Sequence, residues 1–487
     1  MTEPPAPGAE VPSVPLTRIA HAFSIQLICR VLGLMASVFS VAMTARYLGP
    51  DSYGQLVIAV MFIGMWTSLA HLGIATVIVR RVTSGRGDLE RLVRVNSGLA
   101  LIYCIPLAAA AALSGLLIYD DFDVRVMLVV LSGGLLLQTM VTRFEPVFLV
   151  TVRFSAVALS DVAGRVGTLI MVACLVSIQA DVIWFAVAQL IPPVLQLLIQ
   201  GTAAMRHVSV RPIFALREAA DLLRESLPLT AFLVAGLLYS NADGVVLSLL
   251  STDFEVGVYG LAFTIAWSTI AVSLVFHSST LSTLTGSFAR DVGDFASFLR
   301  RSVEVMAFVA VPICVVGALL SGPLIALFGD DAFVERGTPT LALLFIAAGL
   351  RFISSTLGQG LIASHQQRVL LWLTLVTLVL NLALNVALAE RFGAVGAGVA
   401  LVCTELFHMT VSTWRLRTRC GYRTPVVFLL RLLVPTAASV VVTLWLSDHH
   451  VVLTLGAAAV AYVATSALVG PIRWSDLKSF RQKQSAS

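Results

Sequence analysis

A few charged side chains stand in largely apolar sequence in this 487-residue chain: Arg30, Arg143, Glu145, Asp161, Arg165, Asp243, Arg351 and Glu405. A guanidinium so placed offers a planar fork of donors that fits phosphate or carboxylate oxygens. A carboxylate so placed either pairs with a cation or takes up and releases a proton or a sodium ion. Asp161 and Arg165 are spaced i,i+4, on one face of a helix, where they can neutralise each other. Arg143 and Glu145 lie nearby in sequence. This cluster either locks two neighbouring helices together or presents Arg143 and Arg165 to an anionic ligand. Asp243 and Glu405 are candidates for ion coupling or for plain interhelical bonding, and His408 follows Glu405 at i,i+3. His71 and His277 have no companions at metal-ligand spacing and read as structural.

The elements that position these groups follow from composition. Hydrophobic residues make up 58% of the chain and charged ones 12%, with a mean hydropathy of +0.93. Soluble domains average about 45–50% and about 25%, so a soluble enzyme is excluded, and a disordered chain needs the opposite balance. At about 20 residues per span, apolar runs near 19–45, 55–79, 96–118, 126–149, 156–177 and 182–203 predict transmembrane helices. Further runs follow near 228–250, 256–281, 303–328, 338–363, 368–389, 394–414, 425–446 and 451–472. The expected class is an all-α integral membrane protein of about fourteen helices, because alternating barrel strands are not continuously apolar. A lone charge at mid-bilayer costs about 2.5–3.5 kcal/mol on insertion scales, so each intramembrane charge faces a cavity or a partner.

Arginines cluster in alternate connections: Arg80, Arg81, Arg86, Arg91 and Arg94; Arg206, Arg211, Arg217 and Arg224; Arg415, Arg417, Arg419 and Arg423. The intervening connections carry Asp120, Asp121, Asp123, Asp330, Asp331 and Glu335, which read as solvated loops. The positive-inside rule then puts both termini in the cytoplasm and the chain in the cytoplasmic membrane. The formal charge of +5 is too mild to suggest nucleic acid. Six cysteines without a CxxC pair, and no GxxxxGK[ST] loop, give no reason to expect a metal, a disulfide framework, a nucleotide or another cofactor.

The chain divides into a disordered cytoplasmic N-terminus (1–16), a six-helix lobe (17–204), a linker (205–227), a second six-helix lobe (228–415), helices thirteen and fourteen (416–472) and a cytoplasmic tail (473–487). The linker reads as an amphipathic helix on the membrane surface. The lobes echo each other. LGPDSYGQLVIAV in the first and STDFEVGVYGLAFTI in the second align Tyr53-Gly54 with Tyr259-Gly260. Such parallel repeats place a substrate between two bundles near the bilayer midplane and work by rocking.

Three segments carry a family resemblance: ARYLGPDSYGQLVIA at 45–59, SLPLTAFLVAGLLYSNADGVVLSLLSTDFEVGVYGLA at 226–262 and LNLALNVALAERFGAVGAGVA at 380–400. Together they resemble the polysaccharide transporter family, the Wzx-like flippases of O-antigen and exopolysaccharide. That family lies within the multidrug/oligosaccharidyl-lipid/polysaccharide exporter superfamily. The resemblance implies two six-helix bundles around a cavity and a polyprenyl-diphosphate-linked oligosaccharide moved across the membrane by alternating access. It implies no enzymatic step, and other polysaccharide assembly proteins as partners besides the lipid bilayer. CRVLG at 29–33 is similar to the first-helix motif of lipid II flippases, whose arginine lines the cavity, although Ala36 stands where those carry a second arginine. On this footing Arg30, Arg143, Arg165 and Arg351 are the expected cavity cations. Asp161, Asp243, Glu145 and Glu405 are expected in ion coupling or structural pairing. The alternatives are a multidrug or small-cation exporter of the same superfamily, and a membrane glycosyltransferase or polymerase using the loop aspartates.

Overall fold

A computed structural model describes residues 16–151, 155–447 and 449–469. The expected disordered N-terminus, apart from residue 16, and the expected tail lie outside the described residues. Every described element is a helix. The first half comprises α1 (Leu16–Ala70), α2 (Ile74–Thr83), α3 (Leu89–Ile118), α4 (Phe122–Thr142), α5 (Glu145–Thr151), α6 (Ser155–Ser177), α7 (Val182–Ala188) and α8 (Ile191–Met205). The second comprises α9 (Leu216–Leu250), α10 (Asp253–Ser268), α11 (Ala271–Arg290), α12 (Val292–Leu319), α13 (Ser321–Phe328), α14 (Asp331–Ala363) and α15 (Gln367–Cys420). The short α16 (Val426–Arg431), α17 (Leu433–Trp445) and α18 (Val451–Val469) complete the chain.

Eleven stretches of the described residues are helical, long and apolar enough to cross a membrane. Large apolar side chains such as Leu117, Phe122, Trp445 and Leu468 stand exposed on their outer surfaces, as lipid-facing residues must. The chain is a multi-pass membrane protein. Eleven is fewer than the fourteen expected, and the difference has a physical origin. Two of the three come from α1, which runs through a break at Gly49 (φ 71°), and α15, which runs through one at Gly393 (φ 56°), so each counts once. The third is the expected span at 228–250, of which only Asn241–Leu250 counts as an apolar helix, too short for the tally. Positive φ at both breaks is accessible to glycine without a Cβ penalty.

The largest buried cluster joins both halves: Tyr53, Leu56, Phe62, Leu128 and Phe185 from the first pack with Tyr259, Leu261, Phe333 and Leu344 from the second. Polar caps set where helices begin. Asp88, Asp121 and Asp291 each accept a backbone N–H from the first turn of α3, α4 and α12, the N-cap role for which short polar side chains are favoured. Asp330 does the same for α14.

The linker departs from the expectation of a helix lying on lipid. Its helical part starts at Leu216 and runs without interruption into the span as α9. Its apolar side, Ala219 and Leu222, is buried against Ile74, Val77, Ile78 and Leu92 of α2 and α3. The preceding segment is strapped to α3: Ile213 N donates to Arg94 O, and Arg94 Nε donates to Arg211 O. A Cβ on Gly98 would meet the Ile213 carbonyl oxygen at 2.3 Å, so glycine is what lets the strap lie flat.

The end remote from this basic strap is closed by a glycine crossing. A Cβ on Gly54 would lie 1.8 Å from Asp253 O, and one on Gly257 would lie 2.1 Å from Pro50 O. The two halves therefore touch backbone to backbone, in a reciprocal pattern that matches Gly54 with Gly257. Gly260 packs instead on the Val57 side chain, three residues from the register read from the Tyr-Gly pairs. Arg46 Nε donates to Gly329 O at 2.8 Å, and Glu255 Oε2 accepts from Ala394 N at 2.8 Å beside the Gly393 break.

Candidate functional site

A polar cavity of about 490 Å³ lies in the part of the first half nearer the basic strap. Arg30 and Leu34 enter it from α1, Gln138 and Thr142 from α4, Glu145 from α5, Asp161 and Arg165 from α6, Gln196 and Gln200 from α8, and Ala271 of α11 meets it from the second half. A second chamber of about 330 Å³ shares His71, Thr142 and Glu145 with the first. It extends between α2, Asn96 and Tyr103 of α3, and Leu233 of α9.

Two of the four expected cavity cations are in this cavity. Arg30 is exposed and makes no ion pair among the described residues. Arg165 is positioned by its neighbours: its Nε donates to both Asp161 oxygens at 3.1 Å, and its Nη1 donates to Ser37 Oγ of α1 at 2.8 Å. A Cβ on Gly33 would lie 2.9 Å from Arg165 Cδ, so the glycine of CRVLG makes room for the stem of this arginine. The Asp161–Arg165 pair thus ties α6 to α1 and still presents to the cavity, with both side chains about 40% exposed.

The other two arginines stand elsewhere. Arg143 caps the C-terminus of α4 with its guanidinium 4.6 Å from the Phe144 ring centroid, and lines neither chamber. Arg351 belongs to a separate cluster in the second half, where its Nη1 donates to Glu405 Oε1 at 2.8 Å and its guanidinium lies 5.4 Å from the Tyr239 ring. Glu405 is fully buried and also accepts from Tyr239 Oη and Ser354 Oγ. Among the described residues the partners of this α15 carboxylate sit on α9 and α14, and the Tyr239 hydroxyl also meets Thr404 Oγ1.

Asp243 is buried in the same half. Its Oδ1 accepts from Asn385 Nδ2 at 2.7 Å and its Oδ2 from Tyr259 Oη at 3.1 Å. Asn381 and Asn385, one turn apart on α15, are fully buried; Asn381 Nδ2 and Asn385 Oδ1 have no hydrogen-bond partner among the described residues. This is a carboxylate within an amide cage with bonding capacity to spare, unlike the satisfied Glu405 oxygens.

His71 differs from its reading as structural, since it lines both chambers. His277 is held as expected, between Ser273 Oγ and Thr356 Oγ1. The amides Gln138, Gln196, Gln200 and Asn96 were not singled out in the sequence. The i,i+4 pair Gln196 and Gln200 in the apolar α8 was the available signal. The acidic loop residues have local roles that the loop reading missed: Asp121 and Asp330 cap helices, and Asp120 pairs with Arg125.

A protein-family model described as "Polysaccharide biosynthesis protein" matches residues 43–335, more than half of the chain. The chain belongs to the polysaccharide biosynthesis protein family. Among relatives it is similar to the probable low-salt glycan biosynthesis flippase Agl15 of Haloferax volcanii, with 27% identity over 179 residues, 34% of this chain and 35% of that protein. The matched segment thus spans about a third of that relative. Among solved structures this polysaccharide biosynthesis protein is similar to the lipid II flippase MurJ in an inward closed conformation. That match has a TM-score of 0.76 at 14% identity over 92% of this chain and 98% of that one. It is also similar to a multidrug resistance MATE family transporter of the MOP superfamily in an inward-facing conformation, with a TM-score of 0.65 at 15% identity over 82% and 98%. The chain shares its fold with these two transporters.

Proposed function

We propose that this protein is a flippase that turns a polyprenyl-diphosphate-linked oligosaccharide across the cytoplasmic membrane, for cell-surface polysaccharide synthesis. The observation that carries the reading is the polar cavity with Arg30 and Arg165 in a chain otherwise built for lipid. A diphosphate entering low dielectric needs cations with fixed donor geometry, and Arg165 is held in place by Asp161 and Ser37. The family description and the flippase name of the Haloferax relative support the same reading.

The protein acts as a transporter, with residues 17–204 and 228–415 as rocking lobes and the 205–227 strap joining them. The basic strap faces the cytoplasm, as do both termini, so the cavity loads from the cytoplasmic leaflet while the glycine crossing seals the other side. Substrate cations are Arg30 and Arg165, while Arg351 ties α14 to α15 through Glu405 and Arg143 stays at the end of α4 against Phe144. Asp243, with the spare bonding capacity of Asn381 and Asn385, is the coupling group for a proton or sodium ion. Glu145 meets substrate. An apolar groove of about 470 Å³ between α1, α10, α12, α17 and α18 suits the polyprenyl tail, which gives α17 and α18 their use.

A cation exporter of the same fold is the competing reading. It requires a cavity dominated by acids, whereas here Asp161 is already neutralised by Arg165. The two separate in liposomes. The flippase reading expects inward-added fluorescent polyprenyl-diphosphate oligosaccharide to reach the opposite leaflet, and expects Asp243→Asn to abolish any stimulation by an ion gradient. Movement of a cationic dye without movement of the lipid would favour the exporter.

A further inference from the structure

The two chambers differ in chemistry. The larger holds both arginines. The smaller is lined by neither Arg nor Lys, and its polar side chains are Glu145, Asn96, His71, Thr76, Tyr103 and Thr142, alongside the first turn of α2. That turn has Gly73 as its N-cap, without a side-chain cap, so its backbone N–H groups remain available as donors. The buried Asn96 amide and the Glu145 carboxylate, which stands exposed where the two chambers meet, make no hydrogen bond or ion pair to another described residue. Tyr103 is anchored by its hydroxyl to Ala70 O at 2.9 Å, which fixes that wall of the chamber.

A site with a lone carboxylate, an amide and free backbone donors, and without a cationic side chain of fixed charge, does not suit a phosphate. It suits a ligand that donates and accepts at closely spaced points without net charge, which describes a sugar bearing several hydroxyls. We propose that the smaller chamber is a carbohydrate subsite that seats an uncharged, hydroxyl-rich sugar of the headgroup, with Glu145 accepting from its hydroxyls and Asn96 both donating and accepting. This rests on the flippase reading above, with the diphosphate in the arginine chamber and the sugar beyond it. A uronate in the same place would set a second carboxylate against Glu145 in a partly desolvated site, where like charges repel far more than in water. Glu145 is then a specificity residue that rejects acidic sugars, an instance of selection by repulsion. Leu233 of α9 closes the chamber from the second half, so the seated sugar is sensed by both halves.

The test uses the full chain in liposomes and two fluorescent polyprenyl-diphosphate oligosaccharides that differ only in carrying a hexose or the corresponding uronate. The wild type should move the neutral lipid at least about tenfold faster. Glu145→Gln should close most of that gap by speeding the uronate, and Asn96→Ala should slow the neutral lipid. As a readout independent of transport, the free neutral oligosaccharide, without lipid or phosphate, should bind the purified wild type and bind Asn96→Ala more weakly. Equal wild-type rates, or a Glu145→Gln variant that slows both lipids alike, would overturn the subsite and leave the flippase reading standing. Movement of neither lipid by the wild type would overturn both.

Discussion

At the scale of single residues, arginines that look alike in sequence do different work, and substitutions should separate them. Arg351→Ala leaves Glu405, fully buried, without its cation. Breaking a buried pair from one side costs about 3–5 kcal/mol, so thermal unfolding in detergent should show a marked loss of stability, partly recovered by adding Glu405→Gln. Arg30 is exposed in the cavity and pairs with no described residue. Arg30→Ala should therefore leave stability within about 0.5 kcal/mol and still lower the transport rate by about tenfold or more. A large melting shift for Arg30→Ala, with Arg351→Ala unaffected, would exchange the two roles. Little of this distinction was available beforehand. Composition and the cost of a buried charge single out every intramembrane arginine, but whether its partner is a carboxylate or open space depends on helix rotation. Asp161 with Arg165 was legible because four residues fix two side chains on one face. Arg351 with Glu405, 54 positions apart, was not.

At the scale of elements, the glycine crossing and the basic strap are opposite closures. Gly54 and Gly257 leave no room for a methyl group between α1 and α10. Gly257→Ala should hold that end apart, and spin labels at Asp120→Cys and Arg391→Cys should report longer distances by double electron–electron resonance. The strap closes with charge. Glu225 accepts from Arg80 and Arg81, and these bonds hold its carboxyl below the usual carboxylate range; Arg91 does the same for Glu218. A depressed native pKa stabilises the fold above the unfolded value of about 4.3 and loses that contribution as pH falls through the native value. Acidification below about pH 4 should therefore loosen 211–225, and Glu225→Gln should produce the same rise in deuterium uptake at pH 7. Helix order was plain in the sequence because continuous apolar runs have few alternatives in a bilayer. The interruptions around Gly49 and Gly393 were equally legible, falling between the runs that end at 45 and 389 and those that begin at 55 and 394. The reciprocal register of Gly54 with Gly257 was not, since backbone approach leaves only a glycine behind. The strap's apolar stripe was visible, but a stripe does not say whether lipid or protein covers it.

At the scale of the whole molecule, one end is sealed by backbone contact while a polar cavity with two arginines sits toward the other, and an apolar groove runs beside α17 and α18. That combination suits an amphiphile whose head must cross and whose tail need not. If the groove holds the tail, Ser439→Trp within it should slow a long-chain polyprenyl substrate while sparing a short-chain analogue, measured as initial rates in the same vesicles. The central claim, that Arg30 and Arg165 carry a diphosphate-linked oligosaccharide across the bilayer, is tested most directly by the rate at which a fluorescent polyprenyl-diphosphate oligosaccharide changes leaflet. Proteoliposomes of the wild type should be compared with those of the Arg30→Ala, Arg165→Ala double variant. The wild type should move the lipid, and the double variant, folded and inserted to the same extent, should not exceed the rate of empty vesicles. Wild-type transport by the double variant would contradict the account.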